Sequence, residues 1–158
     1  MSRIAMGIAL CFTLSACSSG GSTPPTQQAV TNSGPVSGNS AGAQINAIRA
    51  RASLSGLTRN TTLDSAARAH ASDMARNNFF AHEGSDGSSS SKRVTRAGYR
   101  WCTVGENISV GYSSRASSIE SWRTSPGHYR NIVSNRAKEY GIANVGKYWV
   151  MLVAAKKC

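Results

Sequence analysis

Acidic residues are scarce: seven Asp and Glu stand against eighteen Lys and Arg in 158 residues, a formal charge of +11. Ser85-Asp86-Gly87 has the outline of a calcium loop but lacks its alternating acids, so it reads as a turn. There is no internal repeat and no HExxH helix, the local signature of a metalloprotease. Nor is there a compact run of Lys or Arg, so the positive charge reads as a solvated surface drawn to anionic neighbours. The apolar run from Ile4 to Leu14 is too short to cross a bilayer as a helix.

That run follows a single basic residue, Arg3, and leads into small residues, which is the pattern of a secretory leader over residues 1–16. Leu14-Ser15-Ala16-Cys17 resembles the bacterial lipobox, which implies cleavage before Cys17 and attachment of diacylglycerol to its thiol; an ordinary signal peptide with Cys17 as a spare thiol is the alternative. Ser18 rather than Asp after that cysteine implies the outer membrane if the cell is Gram-negative. Export points to lipopolysaccharide, phospholipid head groups or peptidoglycan as anionic partners and away from nucleic acid. With Cys11 in the leader and Cys17 carrying lipid, Cys102 and Cys158 remain. In an oxidising compartment they pair most simply with each other, two free thiols being the alternative.

Residues 17–43 carry no charge and are rich in Ser, Gly, Thr, Gln, Asn and Pro, which describes a flexible tether with a reach of roughly 30 Å. Residues 44–158 suffice for one domain with its own core. Ile45, Ile48 and Ala52 share a helical face, and Leu63, Ala67, His70 and Met74 mark a second helix with His70 as a satisfied core histidine. GSDGSSSS from Gly84 to Ser91 is a loop, followed by a short helix that stops at Gly98. Ala116, Ile119 and Trp122 mark a further helix, and Ser125-Pro126 supplies the N-cap and first-turn proline of another. GIANV and YWVMLVAA, separated by Gly146-Lys147, read as an antiparallel hairpin whose second strand is apolar on both faces. Helices first and strands late predict an α+β sandwich.

Asn46-Ala47-Ile48-Arg49, Phe79-Phe80-Ala81-His82, Gly105-Glu106-Asn107-Ile108, Trp122, Ser125-Pro126-Gly127-His128-Tyr129 and Glu139-Tyr140-Gly141-Ile142 together resemble the CAP superfamily of cysteine-rich secretory, venom-allergen and pathogenesis-related proteins, most closely its bacterial branch. The resemblance covers residues 44–155. It implies a three-layer α-β-α sandwich with a cleft formed by two histidines and acidic partners, here His82, Glu106 and His128, with Asn107 beside it. Ser125 stands where the eukaryotic type has a second cleft glutamate, and Glu139 is a candidate substitute.

Two imidazoles and a carboxylate suit zinc or a related divalent ion and leave a position open. Glu106 would either orient one imidazole or bind the ion itself. His128, near a helix N-terminus, is expected to stay neutral. Ser125 reads as a helix cap rather than a nucleophile. Three functions follow as expectations: a lipid-anchored binding module for a metal and a lipid or other small ligand, a metal-assisted hydrolase of cell wall or protein, and a structural envelope protein.

Overall fold

The computed structural model describes residues 40–158; the leader, Cys17 and the tether up to residue 39 lie outside the described residues. The chain runs α1 (Ala41–Arg51), β1 (Thr58–Arg59), α2 (Thr61–Asn77), α3 (Ser90–Arg96), β2 (Thr103–Val110), α4 (Arg115–Thr124), α5 (Pro126–Ile132), β3 (Glu139–Val145) and β4 (Tyr148–Ala155). One mixed sheet has the order β1-β3-β4-β2, with β1 parallel to β3 and the other pairs antiparallel.

Helices cover both faces. Leu63, Ala67 and Met74 of α2 and Val94 of α3 pack against Val150, Leu152 and Ala154 of β4. On the opposite face Ile45 and Ile48 of α1, Ile119 and Trp122 of α4 and Ile132 of α5 pack against Met151 and Val153. The three-layer sandwich is therefore present, and β4 is apolar on both faces because it lies inside the sheet with helices above and below. Gly146 turns the β3–β4 hairpin at positive φ, and Gly98 does the same just after α3. No helix among the described residues is long and apolar enough to cross a membrane.

Three local expectations need correction. Helix α1 begins at Ala41, taking up the last three residues that the sequence assigns to the tether, because the Ser40 hydroxyl accepts the Ala43 N–H and Ala41 and Ile45 are buried. On α4 Ala116 is exposed, whereas Ser118 is buried and hydrogen-bonds Ser109. Strand β2 was not anticipated: Gly105, Glu106, Asn107 and Ser109 are poor strand formers, yet every residue from Thr103 to Val110 pairs with β4.

Several motif residues hold the layers together. The Asn46 side chain both donates to and accepts from the Leu57 backbone, at 3.1 and 2.7 Å. Buried Arg49 donates to the carbonyls of Ser55, Ile132 and Ser134, satisfying a carbonyl left open at the C-terminal end of α5. Trp122 donates through its indole to Ile108 O. The Cys102–Cys158 disulfide is formed, joining the approach to β2 to the residues after β4. Closing a loop of 56 residues restricts the unfolded chain by about 4 kcal/mol.

At Gly141 the sheet and α2 meet backbone to backbone. A Cβ there would lie 2.3 Å from the Leu63 carbonyl carbon and 2.4 Å from Asp64 N, and the neighbouring Ile142 N–H donates to Asp64 Oδ1 at 2.8 Å. Neither partner is a side chain able to swing away. Gly141→Ala is expected to destabilise the domain by about 3 kcal/mol or to prevent folding; urea denaturation giving an unchanged midpoint would contradict this contact.

Candidate functional site

The site is organised around one buried carboxylate. Glu106 comes from the middle of β2, its side chain only 3% exposed, and both oxygens are committed. Oε2 accepts from Arg93 Nη2 at 2.7 Å, and Oε1 accepts from His82 Nδ1 at 2.9 Å. Arg93 reaches in from α3 and also donates to the carbonyls of Ser88 and His82. One guanidinium thus neutralises Glu106 and ties down the loop that carries His82, a requirement for a carboxylate removed from water.

The His82 ring donates through Nδ1, so in its neutral form the lone pair is on Nε2, on a side chain that is 59% exposed. His128 enters from α5. Its carbonyl accepts from Asn107 Nδ2 at 3.0 Å, and Asn131 Nδ2 links back to Asn107 Oδ1 and Glu106 O. Asn107 is fully buried and fixes α5 against β2. Burial lowers the pKa of His128 below the ordinary imidazole value, and His82 pushes it the same way. The expected neutral imidazole follows, with burial rather than a helix terminus as its main cause.

Ser125 occupies the N-cap position of α5 but makes no side-chain cap. Its hydroxyl instead lies 3.0 Å from His128 Nδ1, correcting the capping expectation. The three-residue step of this first turn brings the two side chains together, and the Ser125 hydroxyl can donate or accept. It therefore holds the ring in either tautomer, where a carboxylate would fix Nδ1–H.

Glu139 does not join the cleft. At the start of β3 it accepts from Asn60 at 2.8 Å and from the Tyr99 hydroxyl, with Lys156 3.9 Å away. Burial opposes its charge, but these partners bring its carboxyl below the usual range. The missing second acid is not replaced from that position.

His70 is buried, as expected, but is only half satisfied. Its Nε2–H donates to Ala81 O at 2.9 Å and lies 3.9 Å from Glu106 Oε1, while Nδ1 is buried without a partner. Its place beneath Glu106 escaped the sequence reading, as did Arg93. The available signal was chemical: a strand carboxylate facing inward needs a cation, and the helix just before β2 is rich in arginine.

Beside His128 an apolar hollow of about 310 Å³ is lined by Phe80, Ile108, Tyr112 and Trp122 together with Ser125. A larger hollow of about 480 Å³ lies on the other side of Arg93, between α2 and α3, and contains neither cleft histidine. Its acids are already satisfied, Asp73 by Ser85 and Asn77, Asp86 by Ser88 and Arg96, so the smaller one, which His128 borders, is the candidate site.

Among the described residues no three His, Cys, Asp or Glu side chains converge as a metal-binding group. Both Glu106 oxygens are buried and already accept hydrogen bonds, which leaves the imidazole nitrogens of His82 and His128 as the candidate donors. That donor set falls short of a closed zinc centre, which takes four protein ligands, or of a catalytic one, which takes three; it suits an exchangeable ion whose other positions are filled by water.

The mixed α-β-α sandwich is the fold expected of a CAP domain. Residues 43–150 match the cysteine-rich secretory protein family (CAP), and the chain belongs to it. It is 30% identical over 113 residues to the uncharacterized protein YkwD of Bacillus subtilis, an alignment covering 70% of this chain and 44% of YkwD. An extracellular protein containing an SCP domain from Bacillus anthracis shares the fold at a TM-score of 0.69 and 26% identity, over 71% of this chain and 38% of that one. An outer surface protein from Borrelia burgdorferi superposes at a TM-score of 0.66 and 18% identity, over 72% of this chain and 88% of its own. The chain spans less than half the length of YkwD and of YlbC, a Bacillus subtilis membrane protein of which it covers 30%.

The environment of His70 has a consequence for stability. Burial lowers its pKa, outweighing the opposing pull of Glu106. The folded state then binds fewer protons than the unfolded one, so this contribution is present above the unfolded value of 6.5 and is lost as pH falls below it. Urea denaturation should show stability declining from pH 7 to 5, and more shallowly in His70→Gln. A profile that the substitution leaves unaltered would contradict a neutral, buried His70.

Proposed function

We propose that this protein is an exported envelope CAP domain, lipidated at Cys17, that works as a binding module. Its cleft takes a small ligand through the imidazoles of His82 and His128, the latter set against an apolar wall, with zinc or another divalent cation as an exchangeable occupant. The observation that carries this reading is the hydrogen bond from His82 Nδ1 to Glu106: it turns the Nε2 lone pair outward and makes Glu106 the group that orients the imidazole rather than a ligand itself. The hollow lined by Phe80, Tyr112 and Trp122 suits the apolar part of a ligand. The extracellular SCP protein from Bacillus anthracis and the secretory leader of residues 1–16 support export. The tether of residues 17–43 would keep the domain close to the membrane.

Hydrolysis is the second reading, and the Ser125–His128 contact is what favours it. The binding reading is preferred because among the described residues that pair has no orienting third group, the buried carboxylate of Glu106 being engaged with His82 and Arg93.

Calorimetric titration of the Cys17→Ser chain with zinc should show one exchangeable site. His82→Ala and His128→Ala should each abolish it, and Glu106→Gln should weaken it by about 10- to 100-fold. No heat in the unsubstituted cleft would remove the metal from the proposal, and turnover of purified cell wall would favour the hydrolase.

For the anchor, globomycin should block processing of the precursor, and a fatty-acid probe should label the protein in cells. Labelling that persists in Cys17→Ala would refute lipidation at that residue.

A further inference from the structure

Because β4 runs antiparallel to both neighbours, the starts of β2 and β3 and the end of β4 lie at one end of the sheet. The residues flanking these strand ends are Arg100 and Trp101 before β2, Arg136 and Lys138 before β3, and Lys156 and Lys157 after β4, all exposed. The grouping is held by backbone and covalent bonds. Cys102 N–H donates to Ala155 O at 2.8 Å, Lys138 N–H donates to Ala154 O at 2.9 Å, and the Cys102–Cys158 disulfide holds Lys156 and Lys157 against the approach to β2.

Five cations dispersed in sequence thus form one surface. Its acid, Glu139, is occupied by Tyr99 and Asn60, and of the five only Lys156 pairs with a carboxylate among the described residues. Trp101, 42% exposed, follows Arg100 at the edge of this surface and leans toward α3, its indole N–H donating to Thr95 Oγ1 at 2.9 Å. Lys92 and Arg96 of α3 flank the hollow beside its ring.

We propose that this end of the domain docks onto an anionic phospholipid bilayer, with Trp101 in the head-group layer and the cations facing lipid phosphates. The charge would serve any polyanion, but an exposed indole amid Lys and Arg is the side-chain combination favoured at a membrane–water interface. Each Lys or Arg near such a surface adds to binding, and salt screens the attraction. The proposal rests on the exported envelope reading but not on lipidation.

The Cys17→Ser chain, which cannot carry lipid, is mixed with vesicles of equimolar phosphatidylglycerol and phosphatidylcholine and sedimented, with pure phosphatidylcholine vesicles in parallel. Binding is expected to the anionic vesicles alone and to fall with added salt. Arg100→Ala/Lys156→Ala/Lys157→Ala should weaken it by on the order of 100-fold, and Trp101→Ala should weaken it further with an unchanged circular dichroism spectrum. Arg68→Ala/Arg76→Ala, on the exposed side of α2, removes charge elsewhere and should leave binding near the starting value. Equal losses in the two charge variants, no binding to anionic vesicles, or binding to purified sacculi or lipopolysaccharide but not to vesicles would each overturn the proposal. Because the chain carries no lipid, failure here is distinct from failure of the Cys17 labelling experiment.

Discussion

A carboxylate out of water is the constraint around which the cleft is built. Glu106 sits in the middle of a strand, and its ionised form is tolerated there only because Arg93 meets one oxygen and His82 the other. Arg93 can do this only if α3 lies against β2, and once in place it also gathers the carbonyls of Ser88 and His82. The irregular segment between α2 and α3 is held from below by the same ion pair that orients its histidine. His70 completes this underside, neutral and buried, so the polar interior ends at α2 without a charge beyond the Arg93–Glu106 pair.

Many of the motif residues are architectural. Asn46 pins the loop before β1, Arg49 closes the end of α5, Trp122 locks α4 to β2, and Gly141 lets β3 touch the backbone of α2. The residues proposed to meet a ligand are fewer, chiefly His82 and His128. This division is consistent with a chain that matches the family over residues 43–150 while carrying serine where the resemblance leads one to expect an acid.

What was legible in the sequence follows the range over which each signal acts. Leu63, Ala67, His70 and Met74 show a helical period because one face of α2 is uniformly buried, and YWVMLVAA shows none because β4 is covered on both faces. The pairing of Cys102 with Cys158 followed from compartment and elimination. By contrast, β2 was hidden because its residues serve the site and depend on β4 for their conformation. The Arg93–Glu106 pair spans separate elements and leaves no local spacing, and Ser125 was misread because capping and contact with His128 begin from the same residue type at the same helix start. Glu139 carried the right charge, but strand register places it among Asn60, Tyr99 and Lys156.

The way His128 is held has a further meaning. Asn107 grips the main-chain carbonyl of that residue and Asn131 completes the link to β2, so α5 is anchored by backbone while the ring itself projects from a finished scaffold. Position 128 is therefore a socket: the side chain it carries can be exchanged with little strain on the fold. Glu106, bound into the interior through Arg93, has no such freedom. The cleft thus pairs one immovable element with one replaceable element, so a change at position 128 can alter the lining of the cleft while the architecture stays the same.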